Sequence, residues 1–138
     1  MRMTREELKE IPVYARQIGR HQERLRYLRA KAETVPAIVP KERVQTSVVD
    51  HSNMEADAAM DLEIEIRAEV LKLRHMTEAA AECFRSPELT PEERDVLTNR
   101  YIYCMPWNDI AAYMNYSPRS VYRRHCQALD KLFPDPES

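Results

Sequence analysis

Glycine is almost missing from this chain: Gly19 is the only one. Tight two-residue hairpins need positive φ at one or both turn positions, a conformation that glycine adopts at least cost. An all-β fold would have to turn its strands nearly without glycine, so the composition argues against one. Long apolar runs are missing as well. No stretch approaches the roughly 18 apolar residues of a membrane span, and residues 1–8 lack the apolar segment of a signal peptide. A soluble, intracellular protein with no membrane partner is the expectation. Cysteine is scarce and odd in number; Cys83, Cys104 and Cys126 are scattered, which suggests reduced thiols in place of a disulfide framework. There is no phosphate-binding glycine loop, no nucleophile motif and no carboxylate cluster beyond one acidic helix face. Neither an enzyme nor a cofactor is expected.

What the chain does have is charge: 32% of its residues are Asp, Glu, Lys or Arg, with a net charge of −2. Such a balance is unfavourable for binding phosphates, which draws on positive charge, but the distribution matters more than the sum. Lys and Arg outnumber Asp and Glu nine to five in residues 1–34, and are outnumbered eleven to six in residues 35–90. Residues 91–138 carry six positive and seven negative side chains, with the positives gathered at Arg119, Arg123, Arg124 and Lys131 against a local Asp130.

Apolar periodicity points to helices throughout. Ile11, Tyr14, Ile18, His21, Leu25, Leu28 and Ala32 alternate at spacings of three and four, the pattern of a helical packing seam. His21 reads as a polar seam residue and not as a metal ligand. Thr4 and Glu7 resemble a capping box, while Pro12 either kinks this helix or sits in the first turn of its main body. Residues 35–53, with Pro36, Pro40 and a run of Val and Thr, read as a connector. From about Met54 to Arg85 a second helix places Ala59, Leu62, Ile66, Val70, Leu73, Met76, Ala80 and Phe84 on one face. The opposite charge balances of the two helices favour their pairing, within one chain or between two. Ser86-Pro87 closes the second helix, because a proline biases its predecessor away from helical backbone.

Three shorter helical signals follow. Thr90 as N-cap, Pro91 at the first helical position and Glu93 three residues on form a capping box, with Val96, Leu97, Tyr101 and Ile102 facing inward. That helix ends near Cys104-Met105-Pro106. The next, from Trp107 to Met114, buries Trp107, Ile110, Ala111 and Met114. Asn115 then supplies a left-handed turn residue, Ser117 an N-cap and Pro118 the first residue of a last helix running to about Leu132. Its inward side is Val121, Ala128, Leu129 and Leu132, with His125 at the boundary. Arg119, Ser120, Tyr122, Arg123 and Gln127 are thereby turned outward. Arginine offers two parallel donors to guanine, glutamine pairs with adenine, and hydroxyls bond phosphates or bases, so this face suits the major groove of double-stranded DNA. Cys104, His125 and Cys126 lack the paired spacing of a zinc site, and no metal is expected.

The run LTPEERDVLTNRYIYCMPWNDIAAYMNYSPRSVYRRHCQALDKL resembles region 4 of bacterial sigma factors, and more closely the region-4-like domains of small phage transcription regulators of the RinA/ArpU type. The resemblance covers about a third of the chain. It implies that Arg119, Tyr122 and Arg123 face bases or backbone. Arg124 departs from the pattern, standing where an aliphatic core residue is usual, which implies a side chain that snorkels to a phosphate. Pro106 stands in place of the usual capping hydroxyl. Nothing resembles the sigma region that melts the −10 element.

The expected architecture is all-α: residues 1–86 form a long, coiled-coil-like helical hairpin used for oligomerisation, and residues 87–138 a three-helix helix-turn-helix domain. The expected function is a sequence-specific transcription regulator, phage or prophage encoded, that binds a promoter as a homodimer or higher oligomer and contacts RNA polymerase. Two rivals share these features. One is a DNA-packaging component like a small terminase subunit, the other a protein-binding adaptor whose helix-turn-helix has lost DNA affinity.

Overall fold

The computed structural model describes residues 3–34 and 46–134. They form α1 (Arg5–Thr34), α2 (Thr46–Cys83), α3 (Pro91–Leu97) with a π-helical continuation over Thr98–Ile102, α4 (Trp107–Met114) and α5 (Pro118–Leu132). No strand occurs among the described residues, so the fold is all-α, long helices first and short ones after. Most of the connector expected at 35–53 lies outside the described residues; its last part, from Thr46, is already helical. The residues gather into two compact units, Arg16–Leu71 and the remainder.

In the first unit, α1 and α2 pair antiparallel within one chain. Ile18, Ala59 and Ile66 are buried, and His21, Leu25, Leu28, Ala32 and Leu62 are half-buried beside them. One sequence assignment is corrected. Val70 is 45% exposed, whereas Glu69 is 8% exposed and takes the seam position. The alternation of three and four that runs through 59, 62 and 66 continues to 69 and 73, and a residue one step further is rotated by about 100° out of the seam. Glu69 tolerates burial because His21 Nδ1 lies 2.9 Å from its carboxylate. Arg29 with Glu63 at 2.7 Å and Lys31 with Glu55 at 3.9 Å continue the antiparallel pairing. The cations of these rim pairs are exposed and their carboxylates half-buried, and each pair is worth at most about 1 kcal/mol.

The second unit holds the helix-turn-helix together with the first residues of α1 and the last of α2. Thr4 and Glu7 exchange the two hydrogen bonds of a capping box, at 2.9 and 3.1 Å, so α1 starts at Arg5 and Pro12 falls inside it. Leu8, Ile11, Ala80, Phe84, Leu89, Leu97, Tyr101, Ala128 and Leu129 make one buried cluster. Charge also secures this packing. The Arg5 guanidinium donates to the carbonyls of Phe133 (2.8 Å) and Leu129 (3.4 Å) and to the Asp130 carboxylate (3.2 Å). It thereby places a cation at the carbonyl end of α5, where the helix dipole favours one. Arg94 binds the link between α2 and α3, donating to the carbonyls of Phe84, Ser86 and Leu89 at 2.8, 2.9 and 3.4 Å.

At the start of α3 both capping-box bonds form: the Glu93 N–H donates to the Thr90 hydroxyl at 3.1 Å and the Thr90 N–H to the Glu93 carboxylate at 2.9 Å. Lys131 of α5 donates to the same carboxylate at 2.8 Å. Burial pushes the Glu93 carboxyl upward, but the hydrogen bonds from Lys131 and Thr90 and the Lys131 charge outweigh it, and the group is held below the usual carboxylate range. Thr90→Ala removes one of these bonds and is expected to cost about 1 kcal/mol of unfolding free energy, with Thr90→Ser retaining most of it. Urea unfolding of the three proteins measures both.

Candidate nucleic-acid interface

Two helices and a left-handed turn present the outward face of α5. α4 begins after Pro106, whose ring offers no capping hydrogen bond, and ends at Asn115 with φ 62° and ψ 41°. Left-handed backbone costs most residues about a kilocalorie per mole or more, and asparagine is among the few that tolerate it. The Tyr116 N–H donates to the Ala111 carbonyl at 3.0 Å, closing the turn. Ser117 then caps α5, its hydroxyl accepting from the Ser120 N–H at 3.1 Å, and Pro118 is the first helical residue. Ile110 and Ala111 of α4 and Val121 of α5 are buried with Val96 of α3, and Trp107, Met114 and Tyr116 pack around them.

That burial sets which side of α5 meets solvent. Val121, Ala128 and Leu129 face the core, and Arg119, Tyr122, Arg123 and Gln127 are exposed. Positions 119, 122, 123 and 127 fall on one face of a helix by spacings of three and four. Ser120 is half-buried, its N–H engaged by the cap. Arg124 is half-buried too; its guanidinium lies 4.5 Å from the centre of the Tyr116 ring, and its Nε is buried with no hydrogen-bond partner among the described residues. The first turn of α5 has no acidic residue. Helix N-termini favour negative side chains, so arginine at 119 works against the helix dipole and reinforces a positive end suited to an anion.

Three features of this face were not anticipated. Trp107 meets the Tyr122 ring edge-on, with centroids 5.3 Å apart. Arg100 lies over the other aromatic partner, its guanidinium carbon 4.4 Å from the Trp107 ring centre, and donates to the Met105 carbonyl at 3.0 Å. The sequence contains these aromatics without showing that they touch. His125, expected at the boundary, is 4% exposed: its Nε2 lies 2.7 Å from the Tyr101 hydroxyl, and its ring sits 4.8 Å from that of Trp107. Burial first, then the charges of Arg100, Lys9 and Arg5, lower its pKa to about 4. Burial raises that of Tyr101 to about 12. Both are therefore neutral near pH 7, and a neutral core pair behind α5 fixes how far the helix is rotated.

Residues 87–132 match the sigma-70, region 4 family, a helix-turn-helix that binds DNA and is not enzymatic. The match begins at Pro87, just after α2, and ends with α5. No curated protein and no solved structure matches the chain. No helix among the described residues is long and apolar enough to cross a membrane.

Proposed function

We propose that the chain is a sequence-specific transcription regulator, phage or prophage encoded, that places α5 in the major groove of a promoter and acts there by contacting RNA polymerase in the bacterial cytoplasm. The observation that carries this reading is the exposed face of Arg119, Tyr122, Arg123 and Gln127 on a helix held by α4 and a left-handed turn. The docking geometry of such motifs puts the N-terminal part of the second helix against base edges. Arg119 and Arg123 are the groups for guanine or phosphate, Gln127 for adenine, and Tyr122, buttressed by Trp107, for the backbone. Arg124 and Ser120, being half-buried, contribute at the rim of the contact.

Small modules of this size bind weakly alone, and two joined copies gain by effective concentration. Self-association through the long helices fits the apolar side chains that α2 leaves in solvent, Met60, Ile64 and Leu71, at 63, 65 and 55% exposure. Their spacings of four and seven are those of a second packing seam.

Selection of duplexes from a randomised pool by the full chain tests the reading, followed by light scattering of the protein with and without the selected DNA. A recurring motif bound by a dimer supports it. Recovery of no motif refutes sequence-specific binding, and a ring of eight or more subunits favours a DNA-packaging role.

A further inference from the structure

Outside the interface just described, the unit of residues Arg16–Leu71 brings together His21 of α1 and Glu65 and Glu69 of α2, one ligand atom from each lying within 4.8 Å of the others. We propose that these three side chains bind one divalent transition-metal ion, of which zinc is the type.

The seam explains two of the three groups and not the third. A His–Glu pair in a helical seam fixes register, and His21 with Glu69 at 2.9 Å is such a pair. Glu65 has no part in that pairing, yet it converges on the same point from one turn earlier in α2. Like charges four residues apart on a helix repel, and here one of them, Glu69, is 8% exposed. Among the described residues neither carboxylate forms an ion pair with lysine or arginine; the one cationic partner is His21, and only when protonated. A divalent ion would neutralise both carboxylates and leave the imidazole neutral, as a ligand must be.

The donor set narrows the choice of ion. Calcium and magnesium take oxygen ligands, whereas one imidazole with two carboxylates suits zinc and its first-row neighbours. Three protein ligands leave a fourth position for water. Bonds of about 2.1 Å in tetrahedral array put ligand atoms roughly 3.4 Å apart. His21 and Glu69, at 2.9 Å, lie inside that spacing and would have to part by only about half an ångström to admit the ion. Glu65 must close the rest, and its exposed side chain has the rotatable bonds to do so. The ion would tie α1 to α2 and make the stability of the helix pair depend on metal.

Zinc is titrated calorimetrically into the chelator-treated full chain, its Glu65→Gln and His21→Ala variants, and magnesium into the wild type. Glu65 is exposed, so Glu65→Gln keeps the fold, which circular dichroism checks. Expected are saturable one-to-one zinc binding, at least tenfold weaker in Glu65→Gln and lost in His21→Ala, with no comparable binding of magnesium. Zinc should also raise the thermal midpoint of the wild type more than that of Glu65→Gln. Absence of saturable binding, magnesium binding as tight as zinc, or zinc affinity unchanged in either variant overturns the site.

Discussion

Alanine at both Arg119 and Arg123 is expected to weaken binding of the selected duplex about 30-fold or more while leaving the urea midpoint unchanged. A bidentate arginine contact to a base is worth about 1–3 kcal/mol, and each 1.4 kcal/mol is a factor of ten in affinity. Two lost contacts at the weak end of that range therefore give the stated factor. Stability should be spared because both side chains stand in solvent on α5 and, among the described residues, neither takes part in a hydrogen bond or ion pair that holds the fold. The salt dependence separates two kinds of contact. Loss of a phosphate contact lowers the slope of log affinity against log salt by about one per arginine and weakens all sequences alike, whereas loss of a base contact relaxes preference at one position. Lysine at 123 keeps the charge but not the planar fork. For a base contact it should retain the slope and lose the preference. Anisotropy titrations at several salt concentrations that show unchanged affinity and slope in the double variant would remove α5 as the reading helix.

Lowering the pH from 7 to 5 is expected to cost this protein about 2 kcal/mol through His125 alone. Its folded-state pKa of about 4 lies below the ordinary histidine value of 6.5, so the unfolded chain takes up the proton first. Stability contributed by the neutral ring is complete above pH 6.5 and declines as the pH falls from there toward 4. The structural cause is specific: protonation would put a cation beside Tyr101 and Trp107 and make donors of both ring nitrogens, of which Nδ1 is buried without a hydrogen-bond partner among the described residues. Glu93 has its pKa lowered too, and its contribution is lost only at lower pH, in the carboxylate range, which is why pH 5 isolates the histidine. Urea unfolding of wild type and His125→Phe at the two pH values measures the effect. A drop of equal size in both proteins would show that His125 is not its source. Because His125 backs the rotation of α5, DNA affinity should fall over the same range of pH in the wild type.

Much of the helix-turn-helix was legible because its determinants are local. The capping box at Thr90 and Glu93, the left-handed Asn115, the Ser117 cap and the proline at 118 are each specified within four residues, and all four take the geometry their chemistry demands. The seam of α1 was legible for a related reason: a spacing of three and four survives any detail of packing. Val70 shows the limit of such counting. Apolar character alone drew it onto the face, and the charged Glu69 beside it was passed over, since only a facing His21 makes that burial tolerable.

The chain by itself determined that it would be helical, where the short helices begin and end, and which side of α5 carries the arginines, because backbone capping and helical periodicity act over a few residues. Only the tertiary structure decided that Arg5 would hold the end of α5, that Trp107 would buttress Tyr122, that His125 would be buried against Tyr101, and that His21 would meet Glu69. Those contacts join residues 15 to 128 positions apart, and their energies depend on burial and approach, which exist only once the helices have packed.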